Sequence, residues 1–227
     1  MDNVLEIRLS GWTATPRMPF ILTGNAVCMH TPTYSLVLGI IGCCLGRLVS
    51  ANEVQLGFKY QFDAVANDLE TRQRLEFDGK KVKQHAKGTD AYLREFHISP
   101  KLIIWINRVD WKKYFENPEG TPSLGRSQDI LKIEAVSTVE VEKVDHGVLS
   151  GSLLPFQTGL EVGGQLVQVA ESYGENDEVG SGRTPTSSKI FISIPHENNV
   201  DIHFHNLYRT KSSNSETFYL HDFNLNG

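Results

Sequence analysis

Apolar residues near the start of the chain form two strand-like segments that flank a helix-like segment, and this pattern restricts the fold more than any other feature. Within residues 4–9 and 54–62, apolar side chains recur at the two-residue period of a half-buried β-strand. Between them, apolar residues within 36–45 recur at helical spacing, and Thr31 or Thr33 can cap the start of that helix. The pattern therefore predicts a helix that packs on a sheet.

The remainder of the chain is predicted to be rich in strands and to contain a single long hairpin. Alternating or β-branched segments predict strands at residues 92–98, 102–106, 130–136, 139–144, 166–170, 189–195, 200–207 and 215–221. The order strand, helix, strand, protruding hairpin, strand is that of a ferredoxin-like or RRM-like half. Residues 174–188 are acidic and then rich in Gly, Ser and Thr, which predicts a flexible loop.

Positive charge is concentrated in one part of an otherwise acidic chain. Residues 80–113 hold nine lysines and arginines and three acidic residues, a local net charge of +6, whereas the chain as a whole carries −5. Such segregation predicts a local positive field, and the commonest target of such a field is a nucleic acid backbone. The alternative is a solvated face that keeps the hairpin from aggregating.

Composition places the chain among ordinary globular proteins. Its 227 residues are 40% hydrophobic and 22% charged, which suffices for a sizeable core. No apolar run reaches the roughly 18 residues of a membrane span, and the first residues lack the pattern of a signal peptide. The three cysteines, Cys28, Cys43 and Cys44, suit neither a disulfide framework nor a zinc site. We therefore expect free thiols and a cytoplasmic protein.

No cofactor or metal motif is present, so we expect neither a cofactor nor a metal. The sequence lacks a phosphate-binding loop, a dinucleotide fingerprint and paired cysteines. His203 and His205 lie two residues apart on a predicted strand and can bind a metal together with His196 or His221. A polar strand face is the more common meaning of such a pair.

Two groups of side chains can carry acid–base chemistry on a ribose hydroxyl. They are His85 with Lys83 and Lys87, and His97 with Tyr92. Metal-free RNA cleavage needs a base for the 2′-hydroxyl and an acid or cation for the leaving oxygen. The simpler interpretation is that these residues contact phosphates without chemistry.

Tryptophans and one glycine-containing loop supply further candidate RNA contacts. Trp12, Trp105 and Trp111 can stack on bases, although the apolar strand around Trp105 favours a core position for that residue. In the loop TPSLGRS, residues 121–127, Gly125 allows close approach of a ligand. Arg126 and Ser127 add a forked cation and a hydroxyl donor to that loop.

Four motifs, in this order, resemble the CRISPR-associated Cas-five family. The first is GWTATPRMP at residues 11–19, a G-x-x-A-x-x-R-x-P loop. The second is PTYSLVLGIIGCCLG at residues 32–46, a proline-led helix of small residues that ends in Leu-Gly. REFHISP at residues 94–100 is similar to the segment that closes the family's thumb hairpin, and PSLGRS at residues 122–127 to its Leu-Gly-Arg signature. The resemblance covers residues 4–130 and fades beyond them.

The resemblance implies a subunit at the foot of a type I Cascade complex, in a type I-B-like system. The implied α+β fold is a modified ferredoxin-like, RRM-like domain over residues 1–130, with a protruding β-hairpin thumb at residues 66–100. A β-rich C-terminal extension covers residues 131–227. The implied function is non-catalytic. The subunit holds the five-prime handle of the CRISPR RNA (crRNA), caps the backbone-subunit filament and meets the large subunit, while guide pairing reads target DNA.

Candidate RNA contacts follow from the loops and the thumb. A single-stranded handle is read by loop hydroxyls, backbone donors and arginines, and thumb cations suit the RNA backbone. The expected contacts are Thr13, Arg17, Arg47, Lys80, Lys81, Lys83, His85, Lys87, Gly125, Arg126 and Ser127. Two alternatives stay open: a metal-independent endoribonuclease that uses His85, Lys83 and Tyr92, and a protein-interaction module without RNA.

Overall fold

A computed structural model describes residues 1–19, 25–174, 184–212 and 215–224 and shows a mixed α+β fold that is mostly β-sheet. The strands are β1 (Asn3–Gly11), β2 (Thr13–Ala14), β3 (Asn25–Ala26), β4 (Leu56–Gln61), β5 (Ala64–Phe77), β6 (Val82–Ile98), β7 (Lys101–Ile106), β8 (Leu131–Leu149), β9 (Leu153–Pro155), β10 (Gln165–Gly174), β11 (Thr184–Ser193), β12 (Val200–Thr210) and β13 (Thr217–Tyr219). The α-helices are α1 (Tyr34–Leu45) and α2 (Lys112–Glu116).

The predicted helix is confirmed, and its ends follow the chemistry of its flanking residues. The Thr33 hydroxyl caps α1 by accepting a hydrogen bond from the Leu36 N–H at 3.2 Å. Gly46 ends the helix in the left-handed region, at φ 67°, where a residue without Cβ is favoured. α1 has 12 residues and α2 has five, and no helix among the described residues is long and apolar enough to cross a membrane.

A six-stranded antiparallel sheet in the order β13-β12-β8-β1-β7-β4 organises the protein. Leu5, Ile7 and Leu9 of β1 belong to the main buried cluster, which also contains the apolar face of α1. On β7, Trp105 is fully buried in a second, smaller cluster and stacks on Phe218 at 4.4 Å between ring centroids. The prediction that Trp105 is a core residue is therefore confirmed.

The predicted hairpin is present as β5 and β6, and we call residues 64–98 the thumb hairpin. Its two strands pair from Ala64 opposite Ile98 to Phe77 opposite Val82. The short strands β2 and β3 join β6 only at its base, between Leu93 and Ile98. Beyond that base, within the described residues, β5 and β6 pair only with each other, so the distal part of the thumb hairpin forms a two-stranded ribbon.

Several predicted boundaries in the second half are wrong. The two strands expected at residues 130–136 and 139–144 are one strand, β8, because Ser137 and Thr138 continue the pairing with β1. The expected loop at residues 174–188 is a strand from Thr184 onwards, where β11 pairs with β10. Residues 175–183 of that loop lie outside the described part of the chain. Strand β9 and helix α2 were not predicted, since both are too short to show a period.

The expected domain boundary at residue 130 lies within a continuous structure. β8 begins at Leu131 and pairs along β1 from Leu131 opposite Gly11 to Glu140 opposite Asn3. Strands from both sides of the boundary therefore share the central sheet, and the division into two folding units stays a prediction. The three cysteines are free, as predicted.

Candidate nucleic-acid interface

The loop after α2 lies directly against the chain that follows β1. Gly125 adopts φ 116°, and a Cβ on it would lie 2.2 Å from the Thr15 Oγ1 atom and 2.3 Å from the Thr15 carbonyl oxygen. The Thr15 N–H donates to the Leu124 carbonyl at 2.9 Å. The sequence correctly indicates that Gly125 permits a close approach, but the approaching group is this protein's own backbone.

Asp129 connects the loop to β2 through a fully buried carboxylate. It accepts hydrogen bonds from the hydroxyls of Thr13 at 2.7 Å and Thr15 at 2.6 Å. Arg126 donates to the same carboxylate from its backbone N–H and from its guanidinium, at 2.9–3.0 Å. Burial raises the pKa of Asp129, but the Arg126 and threonine hydrogen bonds more than offset this, so its pKa lies below the ordinary value.

Arg126 also reaches the base of the thumb hairpin. Its guanidinium donates to Glu70 of β5 at 2.7 Å, and Glu70 in turn pairs with Arg94 of β6 at 2.7 Å. The Tyr92 hydroxyl donates to the same carboxylate at 3.0 Å. We call this connected set, which joins the loop, β2 and the thumb hairpin, the Arg126 clamp; its members are Thr13, Thr15, Glu70, Tyr92, Arg94, Arg126 and Asp129.

Within the Arg126 clamp, the arginine of the loop signature binds this protein's own carboxylates. The Arg126 side chain is only 18% exposed and is held by two carboxylates, whereas Gly125 and Ser127 beside it are exposed. Nothing in the sequence near Arg126 indicates Glu70 as its partner, because the two residues lie 56 positions apart. The contact of Arg126 and Ser127 with RNA stays a prediction, and Ser127 is the more accessible of the two.

The thumb hairpin has one charged face and one apolar face. Side chains alternate across a strand, and directly paired residues share a face, so the register assigns each residue to a face. The charged face carries Glu70, Arg72, Arg74, Glu76, Lys83, Asp90, Tyr92 and Arg94. The apolar face carries Val65, Leu69, Leu75, Phe77, Val82 and Leu93, which are 42–69% exposed.

Acidic residues offset most of the positive charge of the thumb hairpin, so the expected positive field is weaker there than the basic stretch alone predicts. Lys83 pairs with Glu76 at 3.3 Å, and Arg72 and Arg74 both pair with Asp90, at 2.9 and 2.7 Å. Residues 64–98 contain seven lysines and arginines and six acidic residues. Three of the acidic residues, Asp68, Glu70 and Glu76, lie on β5, which precedes the basic stretch in sequence and pairs with it in the structure.

Three thumb lysines keep their charge unpaired. Lys80 and Lys81 lie in the turn at the tip and Lys87 lies in the bulged part of β6, and all three are exposed. No ion pair to their side chains exists within residues 64–98, although Asp78 accepts hydrogen bonds from the backbone N–H groups of Lys80 and Lys81 at 3.0 Å. Of the predicted thumb cations, these three are the ones available to a phosphate.

The two remaining arginine candidates lie in different places. Arg17 is exposed in the loop after β2, and its backbone pairs with Cys28. Arg47 follows α1, donates to Glu53 at 2.7 and 3.0 Å, and lies over the Trp111 ring at 5.7 Å. Among the described residues, no contact of Arg47 reaches the Arg126 clamp or the thumb hairpin.

Of the residues considered for acid–base chemistry, Lys83 and His85 both lie beside Glu76 and the Lys87 N–H donates to the His85 Nδ1 atom at 3.0 Å, whereas Tyr92 and His97 lie elsewhere. Lys83 pairs opposite position 76 and Tyr92 opposite Glu70, six positions further along β5, which corresponds to ~20 Å along a strand. His85 is 3.9 Å from Glu76, near the tip. His97 is buried and lies on the opposite face of β6 from Tyr92, whose hydroxyl is held by Glu70.

The histidines considered for metal binding are likewise dispersed. His203 lies beside His146 at 4.7 Å between ring centroids, while buried His221 bonds to Glu171 at 2.8 Å. In the described part of the chain, one group has ligand atoms within 4.8 Å of each other: Cys28, Glu95 and His97. Glu95 and His97 lie on β6 and Cys28 lies just after β3, so the distance of Cys28 from the other two along the chain gave no signal. Burial raises the pKa of the Cys28 thiol to about 12.

Buried His97 makes stability depend on pH. Its Nδ1 atom bonds to the Tyr60 hydroxyl at 2.8 Å and its ring stacks on Phe62. Burial, followed by the charge of two nearby histidines, lowers the pKa of His97 from 6.5 to about 4. The unfolded chain therefore binds a proton at this histidine more readily than the folded protein does. The contribution of neutral His97 to the free energy of unfolding is complete above about pH 6.5 and decreases as the pH drops towards 4.

We expect this one group to lower the free energy of unfolding by about 2 kcal/mol between pH 7 and pH 5. Urea denaturation at the two pH values measures the change. His97→Asn, whose amide can replace the bond to Tyr60, should remove most of this loss. His205→Asn, at an exposed position of β12, should leave it intact. An unchanged pH dependence in His97→Asn would contradict the assignment.

No protein-family model matches the chain, and no curated protein matches it. Among solved structures, a chain of a CRISPR RNA-guided surveillance complex superposes with a TM-score of 0.55 at 13% identity, covering 87% of this chain and 91% of that one. A CRISPR protein from Archaeoglobus fulgidus gives a TM-score of 0.49 at 10% identity, covering 96% and 99%. A chain of a Type III-B Cmr-beta complex bound to cognate target RNA gives 0.49 at 11%, covering 88% and 86%.

The first of these superpositions shows that the two chains share a fold over most of their length. The similarity extends through both halves of this chain, including the C-terminal region, where the sequence resemblance fades. The protein therefore has the fold of a chain found in a CRISPR surveillance complex.

Proposed function

We propose that this protein is a non-catalytic RNA-binding subunit of a type I Cascade surveillance complex, of a type I-B-like kind, acting in the cytoplasm. It holds the five-prime handle of the crRNA and caps one end of the backbone-subunit filament, close to the large subunit. The observation that carries the proposal is the fold shared with a chain of a CRISPR RNA-guided surveillance complex. Target DNA is then read by guide pairing rather than by this chain.

The connectivity of the central sheet supports a ferredoxin-like core within this proposal. From β1 the chain passes through α1 to β4, returns through the thumb hairpin to β7, and continues through α2 to β8. This is the β-α-β-β-α-β order of that fold, with the thumb hairpin inserted between its second and third strands. β1 and β7 lie side by side within the sheet, flanked by β8 and β4.

The exposed polar groups around the base and tip of the thumb hairpin support the RNA contact. Arg17 and Ser127 offer a cation and a hydroxyl that are accessible from solvent, and Lys80, Lys81 and Lys87 offer unpaired charges. Single-stranded RNA is bound through such hydroxyl, backbone and arginine contacts, with lysines on the phosphates. The Arg126 clamp holds the base of the thumb hairpin against the loop that carries Ser127.

The apolar face of the thumb hairpin supports assembly with a protein subunit. An isolated two-stranded ribbon is marginally stable in water, and six exposed apolar side chains on one face are typical of a surface that a partner buries. We assign this face to the neighbouring backbone subunit. The charged face contacts Arg126 through Glu70, so it is less available to a partner subunit than the apolar face.

Purification of the tagged protein from its native host, followed by sequencing of bound RNA, tests the proposal. We expect RNAs that share one repeat-derived five-prime end, with backbone subunits in the same fraction. The variant Arg17→Glu should retain less of this RNA. Heterogeneous RNA or none would contradict the proposal, and RNA retention that is unchanged in Arg17→Glu would favour an interaction module without an RNA role.

The non-catalytic part has its own test. Labelled repeat RNA, incubated with the protein in EDTA and separated on a denaturing gel, should stay intact, because Lys83, His85 and Tyr92 do not converge on one point. Specific cleavage that disappears in His85→Ala would contradict this expectation and establish an endoribonuclease. Binding of the same RNA, measured in parallel, confirms that an intact band does not reflect a failure to bind.

A further inference from the structure

Trp12 is an almost fully exposed tryptophan on a protein that buries its other two. Its exposed fraction is 91%, whereas Trp105 is 0% and Trp111 is 4% exposed. Tryptophan is highly buried on average, because its ring is the largest apolar side chain. An indole that contacts almost none of its own protein is available to a partner.

The backbone on both sides of Trp12 is held in place, so its exposure is not that of a loose end. Its carbonyl accepts a hydrogen bond from the Ser99 N–H at 3.0 Å, and the preceding Gly11 N–H donates to the Pro100 carbonyl at 3.0 Å. The following residue, Thr13, pairs with Ile98 and donates to Asp129 of the Arg126 clamp. The exposed ring is therefore presented from an ordered backbone, between β1 and the base of the thumb hairpin.

Cations flank the place where the chain reaches Trp12. Ser10, two positions earlier, pairs with Lys101 of β7 on one side and with Lys132 of β8 on the other. The two lysine side chains are 64% and 76% exposed; Lys101 lies 4.0 Å from the Asp63 carboxylate, and Lys132 pairs with Glu134 at 2.8 Å. An exposed ring two positions from strands that carry exposed lysines suits a nucleotide, because the base can stack while a neighbouring phosphate meets a lysine.

We propose that Trp12 is a stacking platform for one unpaired base of the bound RNA. The inference rests on the proposed function, which supplies single-stranded RNA at the base of the thumb hairpin. Every base has a flat face that can stack on indole, so this site adds affinity without selecting a sequence. It extends the predicted contacts Thr13 and Arg17 by an aromatic group on the same loop.

Fluorescence of the indole reports this contact directly, because Trp12 is the one exposed tryptophan among the three in the chain. The probe is a single-stranded RNA oligonucleotide with the five-prime sequence recovered from the native complex. Iodide should quench Trp12 fluorescence in the free protein, and the RNA should protect it. Trp12→Ala should weaken binding of the oligonucleotide roughly 5- to 150-fold, whereas Trp12→Phe should retain most of the affinity.

Phe156→Ala removes another exposed aromatic side chain and should not alter the affinity, and the melting temperature checks that each variant folds. Wild-type RNA binding with no protection from iodide and an unchanged affinity in Trp12→Ala would overturn the stacking site and leave the proposed function standing. Unchanged RNA affinity together with loss of backbone subunits from the Trp12→Ala complex would also overturn it, in favour of a protein contact. Absence of RNA binding by the wild type would contradict both the proposed function and the stacking site.

Discussion

Replacing Asp129 with alanine is expected to lower the free energy of unfolding by about 3–5 kcal/mol, the largest stability effect predicted for this protein. The change removes a fully buried carboxylate that Arg126, Thr13 and Thr15 share. Arg126 would keep only Glu70 as a charged partner, and two buried or half-buried hydroxyls would lose their acceptor. Breaking a buried pair is costly because the remaining charge stays in an environment that solvates it poorly.

Urea denaturation of the wild type and of Asp129→Ala measures this effect. Asp110→Ala is the matched control, because Asp110 also receives two hydrogen bonds from an arginine, Arg108, but its side chain is 59% exposed. We expect that control to lower the free energy of unfolding by less than about 1 kcal/mol. A similar value for both variants would show that solvent reaches the Arg126 clamp and that it does not fasten the thumb hairpin.

Replacing Lys80, Lys81 and Lys87 with alanine is expected to weaken RNA binding by the proposed complex on the order of 10- to 100-fold at low salt. These are the thumb cations whose side chains make no ion pair within the thumb hairpin. Each lost phosphate contact should also reduce the slope of log affinity against log salt by about 0.7, hence by about 2 for three contacts. Titrations of labelled RNA at several salt concentrations give both quantities.

A second triple variant separates local contacts from overall charge. Replacing Lys113, Lys143 and Lys211 with alanine removes the same charge from other parts of the surface and should leave the salt slope unchanged. Equal effects in both triple variants would mean that only net charge matters. Affinity that barely changes with salt in the wild type would contradict phosphate contacts by the thumb lysines altogether.

Elements whose signals are local could be predicted from the sequence. The helix α1 follows from apolar spacing, from the Thr33 cap and from Gly46 at its end, all within 14 consecutive residues. β1 and β4 follow from alternation, and the turn of the thumb hairpin coincides with Gly79. Such signals depend only on neighbouring residues, so they can be recognised without knowledge of the rest of the fold.

RNA binding by the candidate residues stays a prediction, and only part of their arrangement could be predicted. The basic stretch from residue 80 lies largely on the thumb hairpin, as expected, whereas the position of the signature at residues 122–127 beside Glu70 of that hairpin was not predicted. What the sequence did not indicate is that Glu70 and Asp129 bind Arg126, or that Glu76 and Glu70 of β5 pair with Lys83 and Arg94 of β6. Counting charges from residue 80 onwards left out Glu70 and Glu76, which pair with Arg94 and Lys83.

The sequence by itself therefore determined the type of most elements, the position of the thumb hairpin and the resemblance that suggested a function. Only the tertiary structure decided which charges remain free, that His97 is buried, and that Trp12 is exposed. The physical reason is that a helix cap or a strand period depends on adjacent residues. Ion pairing, burial and exposure depend on contacts between residues far apart in the chain, and only the folded register brings those residues together.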